Sequence, residues 1–371
     1  MKRLLCCCIL VGIMVLSACA GGEDSDPTEQ PSPTPTATYA PTPTPTPVPT
    51  TTPTPTAVPD PYEGLNGLNP LTGLPMDEAY ENRRPAAVML NNLKKALPMY
   101  GVNQADIIYE VLIEGGTTRM LGVYQNPSQV PQIGTVRSTR AYYLDLAQGH
   151  DAILLHVGYS EEAREEIKKR GVTTLNLLGG YENTLYWRDQ ERIRTRGLEH
   201  SAFTSGERIE ETFQKLKSRI THEPGFRQGL LFKNDGTPQG GESALSIIIR
   251  YSSYKTGSFD YDAQTGTYAV SQFDEPYIDG QDNTQVSVVN VLILRAPIKE
   301  QGDKAGHLSV NLVGAGDGLF ACGGQVIPIQ WSKKSHADPF TYALEDGTPL
   351  ALGRGHSYIN IVSLKCPVTI E

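Results

Sequence analysis

The fold of this chain is decided by a stretch that reads DIIYEVLIE at residues 106–114, GG at 115–116, TTRMLGVY at 117–124 and GTVRSTR at 134–140. β-Branched and aromatic side chains dominate residues 106–114, which is typical of a buried strand. The double glycine predicts a turn with unusual backbone angles, after which the strand pattern resumes. The stretch therefore predicts a β-hairpin followed by an arginine-rich segment.

Helices and further strands follow this hairpin. Ser138 can cap a helix over residues 139–148, and Ser160 can cap another over residues 161–170. Residues 151–157, between the two helices, have the apolar character of a buried strand. Strands that alternate with helices predict an α/β (α+β) N-terminal domain, and the hairpin gives its sheet mixed pairing.

Strands dominate the second half of the chain. Short β-rich runs occur between residues 244 and 362, and glycine, asparagine and aspartate stand at the turns between them. Residues 314–318, Gly-Ala-Gly-Asp-Gly, are interpreted as one of these hairpin turns. The pattern predicts a smaller, mainly-β C-terminal domain, built as an antiparallel sandwich or half-barrel.

The N-terminus has the features of a bacterial export signal. Two basic residues precede an apolar run over residues 4–15, which is too short for a membrane-spanning helix. Residues 16–19, Leu-Ser-Ala-Cys, resemble the lipobox of bacterial lipoproteins, in which the cysteine sulfur receives a diacylglycerol. We expect a signal peptide over residues 1–18 and a lipid anchor on Cys19 that holds the chain on the outer face of the cell membrane. The alternative is an ordinary secretory signal with an incidental cysteine.

Composition divides the remainder of the chain. Residues 19–62 are rich in proline and threonine, which predicts a semi-extended, disordered linker with polyproline II character. About 300 residues follow, enough for two domains. We expect these domains at residues 63–225 and 242–371, because glycines and Pro238 accumulate between them.

Charge limits the class of partner. The chain has a formal charge of -9, and removal of a signal peptide with two positive charges makes it -11. An acidic protein is a poor non-specific ligand for nucleic acid or for anionic head groups. We therefore expect no nucleic-acid partner, and any anionic partner must be held by a local basic pocket.

Two cysteines, Cys322 and Cys366, lie outside the expected signal peptide and anchor. Outside the cell a disulfide between them can persist, and free buried thiols are the alternative. Two cysteines alone make a poor metal site.

Several motifs after the linker occur in a fixed order. They are Arg84-Pro-Ala-Ala-Val-Met-Leu-Asn-Asn92, Ala105-Asp-Ile-Ile-Tyr-Glu-Val111, Glu114-Gly-Gly-Thr-Thr-Arg119, Gly134-Thr-Val-Arg-Ser-Thr-Arg140, His156-Val-Gly-Tyr-Ser160, Tyr186-Trp-Arg-Asp189, Trp331-Ser-Lys333 and residues 347–361. Through these motifs the chain resembles the YerB-like lipoproteins of Gram-positive bacteria, a domain family of unknown function. The resemblance implies a two-domain extracytoplasmic lipoprotein, and it implies no activity, cofactor or catalytic residue. Tyr159 departs from the family pattern, which has a second glycine there, and Glu199-His200-Ser201 replaces a Pro-His-Asn type sequence.

Three arginines are the leading candidates for a ligand site. Arg137 and Arg140 bracket Ser138 at an expected helix start, where free backbone N–H groups favour an anion. Arg119 lies on the second strand of the hairpin. Because guanidinium groups suit phosphate and carboxylate, these residues predict a cleft for an anion.

Nearby carboxylates offer another use for the arginines. Glu110 and Glu114 lie four residues apart, on one face of the predicted strand, and Asp145 lies in the following helix. In this alternative the arginines pair inside the fold and hold the hairpin to the helix. Glu110 and Glu114 are therefore counted among the residues of the cleft.

His156 ends a predicted strand, at the position where ligands collect in open α/β sheets. The alternative is a structural histidine that is hydrogen-bonded within the fold. With His200 and either Glu110 or Asp189 it could ligate a metal, but no metal-binding spacing supports this. We expect neither a metal nor a cofactor.

These features favour a lipid-anchored protein that binds an anionic cell-wall polymer or an envelope protein through the arginine cleft. A second hypothesis is an enzyme, a phosphotransferase or hydrolase, that acts on cell-wall polymers. The order of elements loosely resembles the LytR-CpsA-Psr phosphotransferases, although their arginine-aspartate pair is absent at Arg137-Ser138. A third hypothesis is a scaffold for an envelope enzyme.

Overall fold

Residues 66–371 are described by the computed structural model of the chain. The expected signal peptide, Cys19 and the proline-rich linker lie outside the described residues. None of the helices between residues 66 and 371 has both the length and the apolar character needed to cross a membrane.

Four α-helices and 24 strands occur in this range. The helices are α1 Ala141–Gly149, α2 Glu161–Arg170, α3 Gln190–Arg196 and α4 Gly206–Lys215. The strands of the first half are β1 Ala86–Leu90, β2 Ile107–Leu112, β3 Thr118–Tyr124, β4 Ile133–Gly134, β5 Ile153–His156, β6 Thr174–Asn176, β7 Trp187–Arg188 and β8 Ala202–Thr204. Those of the second half are β9 Leu231–Lys233, β10 Glu242–Ser243, β11 Ser246–Arg250, β12 Thr256–Asp262, β13 Thr267–Gln272, β14 Glu275–Pro276, β15 Ser287–Val288, β16 Asn290–Ala296, β17 Ile298–Glu300, β18 Leu308–Val310, β19 Gly314–Cys322, β20 Gln325–Lys333, β21 Thr341–Ala343, β22 Ala351–Gly353, β23 Ser357–Ser363 and β24 Val368–Ile370.

The predicted hairpin is formed by β2 and β3. These strands pair antiparallel from Ile107 opposite Val123 to Leu112 opposite Thr118. A short 3-10 turn over Glu114–Gly116 connects them, with both glycines at positive φ, +72° and +69°. Only glycine adopts this conformation without strain, so the double glycine fixes where the strand turns back.

A large mixed sheet surrounds this hairpin. Its strand order is β10-β20-β19-β16-β23-β2-β3-β1-β5-β6, with β21 on β20. Strand β1 is antiparallel to β3 and parallel to β5, and β23 is parallel to both β2 and β16. The predicted α+β class with a mixed sheet is therefore confirmed, as is the mainly-β second half, which has strands and no α-helix after α4 in the described chain.

The two halves of the chain share this sheet, which the sequence pattern did not predict. Strand β23, close to the C-terminus, lies between β2 of the first half and β16 of the second half. A second sheet, β14-β13-β12-β11-β24 with β15 on β13, is built from the second half alone. The domain limits at residues 63–225 and 242–371 stay a prediction.

Both faces of the large sheet are buried. Along β1, Val88 packs in the same apolar cluster as Ile249 of the second sheet. The next residue, Met89, packs in a different cluster with Leu144 of helix α1. Because successive strand side chains point to opposite faces, the second sheet covers one face and α1 the other.

Helix α2 is confirmed at its predicted limits. Its first turn is capped by Ser160, whose hydroxyl oxygen accepts from the Ala163 N–H at 3.2 Å. Gly171 ends it in the left-handed conformation, with φ +64°. Both signals are local in sequence, which is why the pattern predicts this helix well.

Helix α1 starts later than predicted, and the expected cap at Ser138 is wrong. The helix begins at Ala141 after Arg140, and no side chain caps it. The preceding residues 137–140 are extended because their backbone is hydrogen-bonded to the ends of neighbouring strands. Tertiary hydrogen bonds therefore override the local capping signal.

The predicted hairpin turn at residues 314–318 is also wrong, because these residues lie inside β19 and pair with β20. A Cβ on Gly316 would lie 2.9 Å from the indole of Trp331, and one on Gly318 would lie 2.8 Å from the Ile293 carbonyl oxygen. The glycines let Trp331 pack closely over the strand. They therefore serve close packing and do not form a turn.

Cys322 and Cys366 are both free and buried. Cys322 lies in the apolar cluster that contains Leu144, and Cys366 lies in the cluster that contains Ile249. The two thiols are thus on different faces of the large sheet. The disulfide considered from the sequence is not formed.

Candidate functional site

The arginine segment crosses the C-terminal ends of two parallel strands. The Arg137 N–H donates to the Met89 carbonyl of β1 at 2.9 Å, and the Val157 N–H, just after β5, donates to the Arg137 carbonyl at 3.0 Å. The Thr139 N–H then donates to the Gly158 carbonyl at 3.1 Å. The segment is therefore fixed by backbone bonds at the edge where α/β sheets bind ligands.

Arg140 is neutralised within the fold. Its guanidinium forms a two-point ion pair with Glu114, in which Nε donates to Oε2 at 3.2 Å and Nη2 donates to Oε1. Burial alone would raise the pKa of Glu114, but the hydrogen bonds and charge of Arg140 outweigh it and the pKa is lowered. The pairing predicted between an arginine and Glu114 is thus present for Arg140.

Arg119 is a buried cation without a carboxylate partner. Its side chain is 4% exposed, and its Nη1 donates to the Ser138 carbonyl at 2.6 Å and to the Ser138 hydroxyl oxygen at 3.3 Å. It forms no ion pair with any carboxylate of residues 66–371. Burial first, and then repulsion from Arg140 and Arg137, lowers the pKa of Arg119 to about 10. The group remains charged at neutral pH.

Arg137, in the same segment, also forms no ion pair with a carboxylate of the described residues. Its Nη1 donates to the Glu199 carbonyl at 2.8 Å, and its buried Nε has no hydrogen-bond partner among the described residues. Burial lowers the pKa of this guanidinium, and the negative charge of Glu199 opposes that effect. Arg137 therefore keeps both a positive charge and an unused N–H donor.

Ser138 lies between the guanidinium groups. Its hydroxyl oxygen accepts from Arg119 Nη1 at 3.3 Å and lies 3.4 Å from Arg140 Nη1. A single oxygen atom thus contacts two cations at this point. The Ser138 residue itself is half-buried, whereas Arg119 and Arg140 are buried.

His156 is buried at the end of β5, with one nitrogen used and one open. Its Nδ1 lies 2.8 Å from the Gly158 carbonyl oxygen, and its Nε2 has no partner among residues 66–371. Because a carbonyl only accepts, the proton is on Nδ1 and Nε2 is an acceptor. Burial lowers the pKa of this histidine to about 4, so it is neutral at pH 7. Both predicted roles are compatible with this geometry.

Glu110 does not belong to the arginine site, which corrects the prediction. Its carboxylate is fully buried, forms an ion pair with Lys255 at 2.9 Å, and accepts from Thr118 at 2.6 Å and from Asn92 at 2.9 Å. Burial would raise the pKa of Glu110, but the charge of Lys255 and these bonds lower it overall. The strand ends at Leu112, so Glu110 and Glu114 do not share one strand face.

The other polar candidates have separate partners. Asp189 caps α3 by accepting from the Arg192 N–H at 2.7 Å. The Nδ1 atom of His200 lies 3.0 Å from the Asn91 side-chain nitrogen. Across residues 66–371 no group of three or more histidine, cysteine, aspartate or glutamate side chains could hold a metal ion.

Three exposed apolar side chains lie beside the site and were missed from the sequence. They are Tyr159 at 42%, Leu178 at 69% and Leu198 at 54% exposure. Tyr159 follows Gly158, whose carbonyl accepts from Thr139. Leu198 precedes Glu199, whose carbonyl accepts from Arg137. Leu178 lies two residues after Asn176, which accepts from the Gly158 N–H. No periodicity marks them, because Leu178 and Leu198 lie in single-turn 3-10 helices and Tyr159 lies in an isolated β-bridge, so only the structure could find their exposure.

Family models match both halves of the chain. One, described as the N-terminal domain of a protein of unknown function (DUF3048), matches residues 71–219. A second, described as the C-terminal domain of the same protein class, matches residues 247–359.

One curated relative and one solved structure resemble the chain over most of its length. The Bacillus subtilis (strain 168) protein named "Putative lipoprotein YerB" is 30% identical over 310 residues, which cover 82% of this chain and 88% of the relative. The crystal structure of the Bacillus subtilis YerB protein aligns with a TM-score of 0.71 and 27% identity, covering 81% of this chain and 99% of that one.

Proposed function

This chain belongs to the YerB-like lipoprotein family, whose two domains have no established function, and we propose that it binds an anionic component of the cell envelope through Arg119 and Arg137. In this proposal Cys19 carries the lipid anchor and the folded part stands on the outer face of the membrane. The bound component is a wall polymer with phosphate or carboxylate groups, or an acidic surface of an envelope protein.

One observation carries the proposal: Arg119, which donates to Ser138, and Arg137, which donates to the Glu199 carbonyl, form no ion pair with a carboxylate of residues 66–371. A charge that is taken out of water is costly unless it is paired. The interaction with an external anion is also stronger in a partly buried site than in bulk water. A bound phosphate or carboxylate would supply the missing negative charge.

The acidic character of the chain supports a local rather than a general attraction. With a formal charge of -9 the protein repels anionic surfaces at long range. Binding therefore has to depend on direct contacts with the two arginines. It should weaken as salt is added, since ions screen the exposed part of the interaction.

The proposal is tested with the mature chain, made soluble by Cys19→Ser, and purified anionic wall polymer. Arg119→Gln with Arg137→Gln removes two charges from the site. Arg227→Gln with Arg250→Gln removes two charges from exposed positions elsewhere and serves as the matched control. We expect the site variant to lose about tenfold or more in affinity, equivalent to about 1.4 kcal/mol, while the control binds like the wild type. If both folded variants bind the polymer with equal affinity, Arg119 and Arg137 do not form the binding site.

An activity on the same polymers is the second candidate. The observation that favours it is the buried Nε2 acceptor of His156, which has no partner among residues 66–371 and belongs to a ring that is neutral at pH 7, the form that a general base needs. The test is turnover of a phosphodiester-containing wall polymer by the wild type and by His156→Gln. Binding without turnover by the wild type leaves the binding function alone.

A further inference from the structure

Apolar side chains are exposed on three separate segments around the arginine site. In the described chain seven large hydrophobic side chains are more than one-third exposed, and three of them are Tyr159, Leu178 and Leu198. The first follows β5, the second follows β6 and the third lies between α3 and β8. Each of these residues lies close in the chain or in space to a residue that contacts the segment 137–139.

Leu178 lies beside Ser138. A Cβ placed on Gly158 would be 3.6 Å from the Ser138 Cβ and 3.8 Å from the Leu178 Cδ1. Gly158 has φ +80°, which favours glycine, so this small space stays open. The leucine is therefore about one side chain away from the hydroxyl that contacts two guanidinium groups.

Leu198 immediately precedes a residue that contacts Arg137. The next residue, Glu199, accepts from Arg137 Nη1 through its carbonyl at 2.8 Å. The Leu198 carbonyl is itself held by Arg188 Nη1 at 2.9 Å and by the Ser201 hydroxyl at 2.7 Å. Its backbone is fixed, so the exposure of its side chain is a property of the folded structure.

Asn176 holds the segments that carry Tyr159 and Leu178 close to each other. Its side-chain oxygen accepts from the Gly158 N–H at 3.0 Å and from the Leu178 N–H at 3.2 Å. Tyr159 is bridged to Thr139 of the arginine segment. The three apolar side chains, which we call the apolar rim, are thus connected to the cationic site through fixed backbone.

We propose that the ligand of this site is a single amphiphile with a phosphate head group and an apolar chain. The proposal rests on the proposed function, because the head group uses Arg119 and Arg137. Phosphate complements the two guanidinium groups, and the chain covers the rim formed by Tyr159, Leu178 and Leu198. An inorganic anion or a hydrophilic polymer would leave this apolar surface in contact with water.

The test compares three probes by calorimetry on the mature Cys19→Ser chain. The probes are inorganic phosphate, monododecyl phosphate below its micelle concentration, and dodecyl maltoside, which has the same chain on a neutral head. We expect monododecyl phosphate to bind about tenfold or more tightly than phosphate, because partial burial of its methylene groups adds to the contact. Dodecyl maltoside should bind more weakly than monododecyl phosphate, because it lacks the charge.

Substitutions in the apolar rim test its contribution to binding separately from that of the arginines. Leu178→Ser with Leu198→Ser should abolish the advantage of the dodecyl chain and leave phosphate binding unchanged. Leu245→Ser with Leu364→Ser, at leucines 57% and 59% exposed elsewhere, is the matched control and should keep the advantage.

The outcomes distinguish this proposal from the function on which it rests. Phosphate and monododecyl phosphate could bind with equal affinity, and both could depend on the arginines. This result overturns the amphiphile proposal and leaves the proposed function standing. A preference for monododecyl phosphate over phosphate that persists in Leu178→Ser with Leu198→Ser also overturns it. No arginine-dependent binding of either phosphate probe overturns both proposals.

Discussion

Arg119 has an unusual environment for a charged side chain. It is almost fully buried, and its nearest described partners are the carbonyl and hydroxyl oxygens of Ser138. Neutral oxygens compensate a buried charge less well than a carboxylate does. Arg119 and Arg137 thus both lack a compensating negative charge, and this is why we propose that they bind an anion.

Lys255 and Glu110 show the opposite arrangement. Both are fully buried, and the two groups neutralise each other at 2.9 Å. The sequence could not predict the pair, because 145 positions separate the residues and no local pattern connects them. The arginine cluster was predictable because Arg137 and Arg140 are neighbours in sequence, whereas the use of Glu110 depends on contacts with the second half.

His156 gives a prediction on pH dependence. Its pKa is about 4 in the folded state, below the value near 6.5 of an unfolded histidine, so the unfolded state binds more protons between these values. The stability contributed by the neutral ring is present above about pH 6.5 and is lost as pH falls toward 4. Between about pH 7.5 and pH 4.5, the wild type should lose about 2 kcal/mol more in free energy of unfolding than His156→Gln. Urea unfolding at both pH values measures this, and an identical loss in the two proteins would contradict it.

At the scale of elements, prediction succeeded where the signals are local. Helix α2 has its cap, its acidic first turn and its terminal glycine within the helix sequence. Helix α1 and the glycines of β19 were misread because their conformations depend on strand ends and on Trp331. The apolar rim was missed because single-turn 3-10 helices and an isolated bridge are too short to show a periodic pattern.

The cap of α2 gives a prediction at this scale. Ser160→Ala removes the oxygen that accepts from the Ala163 N–H, and we expect a loss of about 1 kcal/mol in the free energy of unfolding. Ser160→Asp keeps an acceptor at this position and adds favourable charge at the helix N-terminus, so it should retain most of the stability. Chemical denaturation of both variants measures this. An equal loss of unfolding free energy in the alanine and aspartate variants would contradict a role for the side-chain acceptor.

For the whole molecule, the shared sheet is the dominant feature. Strand β23 pairs with β2 along five residues and with β16 along seven, so the last part of the chain completes the sheet of the first part. The apolar cluster on one face also combines residues from both halves. The two family domains therefore depend on each other for burial of their cores.

This dependence predicts the behaviour of truncated chains. Residues 63–225 alone would expose one edge of β2 and leave Glu110 without Lys255. A buried charge that loses its partner destabilises by about 3–5 kcal/mol, in addition to the lost strand contacts. We expect no cooperative unfolding transition for the isolated fragment by circular dichroism. A sharp transition close to that of the full chain would contradict the interdependence.

Side-chain NMR of the mature Cys19→Ser chain labelled with ¹⁵N-arginine measures whether Arg119 and Arg137 bind an anion. Signals are assigned by loss in Arg119→Gln and Arg137→Gln. On titration with inorganic phosphate, we expect saturable chemical-shift changes of the Nε–H signals of these two arginines. The signals of the exposed Arg227 and Arg250 should change little. Shifts that are equally small at all four arginines, or confined to the exposed pair, would contradict the account.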